Sequence, residues 1–149
     1  MPFYLPYLLL ALAIGGGVTV QAGINAQLRD YVGHPAFAAL ANFAVGSTGL
    51  LAVILLLRLP WPSLKMLGTA PAWAWMGGAL GAIYVASAVL IAPKLGAATM
   101  FALIIAGQVL LSLLLDHYGW IGFKLHPINI WRGAGALVLV AGVVLVVRN

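Results

Sequence analysis

The chain has 149 residues, of which 64% are hydrophobic and only 6% charged, far from the quarter or so of charged residues usual in soluble domains. This composition excludes an ordinary soluble enzyme or binding module and points to an integral membrane protein, in which lipid covers most of the apolar surface and one compact bundle is expected. The net charge of +5 raises nucleic acid as a partner. The seven basic residues Arg29, Arg58, Lys65, Lys94, Lys124, Arg132 and Arg148 are instead scattered one or two per connection and read as membrane-flanking anchors.

Cysteine is absent, so disulfides, thiolate metal sites and thiol catalysis are ruled out. Ala11-Leu12-Ala13 follows an apolar run as a signal-peptide cleavage site does, but no basic stretch precedes it and the apolar run continues. The first segment therefore reads as a retained helix.

Five segments are long enough to span a bilayer, where about 20 residues are needed: Leu5 to Gln27, Pro35 to Leu57, Ala72 to Ile91, Gly96 to Leu115, and Ile130 to Val147. The predicted fold is thus an all-α membrane protein, one five-helix domain over residues 1–149. Breakers and anchors mark the ends, with Arg29-Asp30 read as a loop after the first span and Pro93-Lys94-Leu95 as a short connection between the third and fourth. Trp61, Trp73, Trp120 and Trp131 fall near helix ends, as an aromatic belt requires.

The first span is the unusual one. It carries Gly15-Gly16-Gly17 near mid-depth, and then Gln21, Asn25 and Gln27. Polar groups inside a membrane helix turn toward other helices or a water-filled path. Gln21 and Asn25 are four residues apart and share a face that Arg29 continues to the surface, while Gly15, Thr19 and Gly23 form a small-residue stripe pointing elsewhere. The three glycines read as a hinge or as a place where another backbone passes close. Asn42, Gly46 and Gly49 line one face of the second span, and Gly77 with Gly81 makes GxxxG in the third.

In the fourth span Phe101, Gln108, Ser112 and Asp116 lie on roughly one stripe. Asp30 and Asp116 are the only carboxylates, so Asp116 with His117 is the candidate pair for proton coupling, the alternative being an interfacial cap at a helix end. Phe43, Trp75, Tyr84 and Phe101 are deep enough to line a path and to offer ring faces to a cation. The candidate substrate residues are therefore Gln21, Asn25, Asn42, Trp75, Tyr84, Gln108 and Ser112. An enzyme is hard to build here. No serine has a histidine and an acid at plausible depth, and His34, His117 and His126 lie in connections and do not converge on a metal. No cofactor is expected.

With five crossings, Arg58, Lys65, Lys124 and Arg132 fall on the amino-terminal side and Arg29, Lys94 and Arg148 on the other. The positive-inside rule acts through a marked excess of Lys and Arg on one side. Four against three gives no strong instruction, so the chain is expected to insert both ways and to pair as an antiparallel dimer about an axis in the membrane plane.

The ordered motifs Gln21-Ala22-Gly23-Ile24-Asn25-Ala26-Gln27-Leu28-Arg29, His34-Pro35, Asn42-Phe43-Ala44-Val45-Gly46, Ala92-Pro93-Lys94-Leu95-Gly96, Gly107-Gln108 and Asp116-His117-Tyr118-Gly119 together resemble the YdcZ family, half-size members of the drug/metabolite transporter superfamily. The closing segment Arg132 to Val143 is similar to the last helix of an EamA-type repeat. The resemblance implies a five-helix unit of the bacterial inner membrane that pairs antiparallel, as small multidrug resistance transporters do, with itself or a sister chain. The charge balance favours the homodimer. One departure from the small multidrug resistance transporters matters: the first helix has no glutamate, and Gln21 or Asn25 takes the polar role. The expected function is alternating-access transport of a small polar or cationic solute. A dual-topology passive channel of the fluoride-channel kind and a non-transporting accessory subunit are the alternatives.

Overall fold

The computed structural model describes residues 4–148, all of whose regular structure is helical. The helices are α1 (Leu5–Val32), α2 (Pro35–Leu56), the short α3 (Leu64–Gly68), α4 (Met76–Leu95), α5 (Ala97–Tyr118) and α6 (Ile130–Arg148). A 3-10 turn over Ala72–Trp75 leads into α4, and another over Trp120–Gly122 follows α5. Five stretches are long and apolar enough to cross a membrane: α1, α2, Ala72–Leu95, α5 and α6.

Two of the expected boundaries move, each for a local reason. Arg29-Asp30 is not a loop but part of the last two turns of α1. Their side chains pair with each other at 2.7 Å, and the helix stops at Gly33, whose left-handed φ of 82° lets its N–H donate to the Arg29 carbonyl. A side chain at that φ would be strained. Likewise Pro93 does not end the third span. It lies inside α4, which runs on to Leu95 because a proline removes one helical hydrogen bond near a helix end, where few remain to lose. The remaining ends shift by a few residues, with α5 reaching Tyr118 and α6 Arg148.

α2 begins on a well-made cap. Pro35 occupies the first turn, where its missing N–H costs nothing, and the Ala36 N–H donates to His34 Nδ1 at 3.1 Å. His34→Ala is expected to lower stability by about 1 kcal/mol, while His34→Asn retains most of it. Thermal melting of the purified protein reads the difference, and identical melts for the two variants would remove the capping role.

The chain divides into two compact units, one up to Lys94 and the other from Leu95 on. In the first, α1 packs on α2 through small residues that let the backbones approach, among them Ala22, Ala38 and Ala39, all buried. α4 contributes Ala88 and Val89 to this interior. It also leans on α2 at Gly81, where a Cβ would sit 3.4 Å from the Phe43 ring. In the second unit α5 packs on α6, with Met100, Phe101, Ala106, Ala136 and Val143 inside. Most large apolar side chains are exposed, as lipid-facing residues are. Hydroxyls that would face hydrocarbon bond back into their own helix, Thr19 to the Gly15 carbonyl and Thr48 to that of Ala44.

Candidate functional site

The first unit holds two adjoining clefts with a shared wall. Val18, Gln21, Ala22 and Asn25 recur at helical spacing along one face of α1, and they meet Tyr84 and Ala88 of α4 around a cleft of about 220 Å³. Its enclosed part has room for about one water molecule. Asn25 is the buried polar residue here, 5% exposed. Its carboxamide has no hydrogen-bond partner among the described residues and opens onto the cleft. No side-chain polar atom among the described residues is both sealed from solvent and unpartnered, so this amide keeps its polar atoms open to the cleft and to what enters it.

Gln21 belongs to the second cleft as well. Its Nε2 donates to Asn42 Oδ1 at 3.2 Å, linking α1 to α2, and beyond that bond lies an open groove of about 660 Å³ lined by Asn42, Phe43, Gly46, Ser47 and Leu50. Depth follows from register. At 1.5 Å per residue, Gln21 and Asn42 each sit within about 5 Å of the midpoints of their helices.

The expected residues do not all come together. Gln21, Asn25, Asn42 and Tyr84 converge. Trp75 lies in the turn before α4, 60% exposed and outside both clefts. Gln108 and Ser112 are on α5 in the other unit, both exposed, with the Ser112 hydroxyl donating to the Val109 carbonyl. The glycines divide similarly. A Cβ at Gly15, Gly16, Gly17 or Gly77 would meet nothing within 4 Å, whereas Gly81 faces Phe43. Ser47 and Leu50 escaped the sequence reading because, five and eight residues beyond Asn42, they lie about 140° and about 80° around α2 from it, off the face that Gly46 and Gly49 share with it.

Asp116 and His117 enter a different construction. The Arg132 side chain donates to the Asp116 carboxylate and, through Nη1, to the His126 carbonyl at 2.6 Å. The His126 N–H donates to the Asp116 carbonyl, and the Ile128 N–H to His117 Nδ1. Asn129 Oδ1 caps α6 by accepting from the Arg132 N–H. Together these bonds fasten the connection between α5 and α6. That connection includes left-handed backbone at Gly119, Ile121 and Gly122, which for isoleucine needs support from its surroundings. Arg132, read from sequence as a flanking anchor, is the hub of this knot, and the signal for it was a carboxylate ending one span just before a basic residue opens the next.

A family model described as "Putative inner membrane exporter, YdcZ" matches residues 6–145. The chain belongs to the YdcZ family. The match reaches all five stretches able to cross a membrane, short of only the first residue of the first and the last three of the last, and it makes this a multi-pass inner-membrane protein of an exporter family, a transporter rather than an enzyme. No curated protein and no solved structure matches the chain. For a YdcZ-family chain, the clefts of the first unit offer what transport of a polar solute needs: partly free hydrogen-bonding groups at mid-helix depth between apolar walls. The polar knot of the second unit offers fastening through the bonds of Arg132 to Asp116 and His126, around an open cavity of about 780 Å³ lined by Asp116, His126, Pro127, Asn129 and Arg132.

Proposed function

We propose that this protein is a small dual-topology transporter that moves a small polar solute by alternating access as an antiparallel homodimer, its five spans acting as one transport domain. The observation that carries the reading is Asn25, a largely buried residue whose carboxamide makes no hydrogen bond among the described residues and opens onto the cleft beside Gln21 and Tyr84. Asn42 reaches the same site through its bond to Gln21. Gln108, Ser112 and Trp75, all exposed within the single chain, are the groups available to complete the site when two copies pair. The glycine run at 15–17 is free to flex or to admit a second backbone, as no side chain presses on it.

Antiparallel pairing supplies alternating access cheaply. When two identical chains in opposite orientations exchange conformations, the outward-open dimer becomes an equivalent inward-open one. The end states then differ only through membrane potential and surroundings. The four-to-three balance of basic residues supports insertion in both directions.

Single cysteines placed in the exposed connections, at Trp61 and Leu125, test the topology. Impermeant thiol reagents are expected to modify each from both sides of the membrane, with roughly half of the copies protected from either side, as equal populations of two orientations require. Labelling from one side alone would falsify dual topology.

A further inference from the structure

We propose that the solute is uncharged, carries both hydrogen-bond donors and acceptors as a polyol or amide does, and crosses without a coupled ion. This rests on the transporter reading and adds the chemistry of its site. Of the nine charged side chains, the five of the first unit, Arg29, Asp30, Arg58, Lys65 and Lys94, are not among the residues lining its two clefts. Both carboxylates of the chain are paired, Asp30 with Arg29 and Asp116 with Arg132. Arg58, Lys65, Lys94, Lys124 and Arg148 are all exposed. The histidines are committed too: His34 caps α2, and His117 and His126 tie down the connection before α6.

What lines the clefts is neutral and two-sided. Gln21 keeps its carbonyl oxygen free while its amino group is given to Asn42. The Asn25 amide has a carbonyl and an amino group to offer, Tyr84 a phenol and Ser47 a hydroxyl, so acceptors and donors are both on offer. A cation could use only the oxygens and an anion only the N–H and O–H groups. Either would leave the other half of each amide facing it unfavourably and would meet no countercharge at mid-helix depth, where ions are costly. A neutral solute with both kinds of group matches the set. A second copy related by a two-fold axis brings the same uncharged residues again.

The same inventory bears on driving force. Proton coupling in membrane transport runs through a carboxylate or histidine exposed to the solute path, and neither is present in the clefts. Movement is then downhill and electrically silent.

The test uses the purified protein in liposomes, with entry of xylitol, glucose and urea measured beside choline, guanidinium and fluoride. Each is run at zero potential, at about 100 mV and across a pH step. The expected result is entry of a neutral probe at least tenfold above protein-free vesicles, changed less than twofold by potential or pH, and lost in the Gln21→Ala/Asn25→Ala double variant. A univalent ion, in contrast, distributes about 50-fold across 100 mV. Potential-driven accumulation of choline, guanidinium or fluoride, or uphill entry of any probe driven by the pH step, overturns the uncharged and uncoupled assignment while leaving a transporter in place. Neutral entry that survives the double variant overturns the site. Background entry of all six probes overturns the transport reading itself.

Discussion

Asn25→Leu is expected to abolish transport while leaving the protein as stable as the parent, or slightly more so. The two effects separate because of how the amide is placed. It is 5% exposed and makes no side-chain hydrogen bond among the described residues, and its polar atoms are not sealed from the cleft, so a leucine, with the same number of side-chain heavy atoms, breaks no bond and changes stability by less than about 1 kcal/mol. The same change removes a donor and an acceptor from the cleft. Gln21→Ala also stops transport, but it leaves Asn42 Oδ1 without its partner and is expected to cost about 1 kcal/mol. Flux into proteoliposomes, thermal melting and cross-linking of the dimer, measured on the same preparations, give the three readouts. A fall in melting temperature of Asn25→Leu as large as its loss of flux would mean that Asn25 is structural and would remove it from the site.

Arg132→Ala is the substitution expected to cost most in stability. It strands the Asp116 carboxylate and releases the His126 carbonyl at once. Breaking a fully buried pair costs roughly 3–5 kcal/mol. Here the side chains are 30% and 23% exposed, so water recovers part of that, and about 2–3 kcal/mol is expected, or a fall of about 5–10 °C in Tm. Asp116→Asn should be milder, near 1 kcal/mol, because its amide oxygen still accepts from the guanidinium. Equal melting of Arg132→Ala and the parent would show that the connection between α5 and α6 holds without this residue.

The number and order of the spans were legible because twenty apolar residues have one stable arrangement in a bilayer, and hydropathy reads it directly. The face shared by Gln21 and Asn25 was legible for an equally simple reason, the four-residue helical repeat. Helix ends were less so. Charges at 29 and 30 look like a loop, yet a helix can run past the hydrocarbon, and its true stop was written in Gly33. Pro93 looks like a break, but the break is Gly96, with a φ of 76°. Pairings between distant residues, such as Gln21 with Asn42 and Asp116 with Arg132, depend on which helix lies beside which. Periodicity within one segment carries no such information, and for that reason Trp75 looked equivalent to Asn25 although it lies outside both clefts.

The bond between Gln21 and Asn42 also bears on affinity. On the transport reading proposed above, each of these amides stands in for the cargo of the other in the empty protein. An arriving molecule must trade places with that bond, gaining little more than it displaces. On that reading grip on the cargo is weak, and a carrier that holds loosely also lets go quickly.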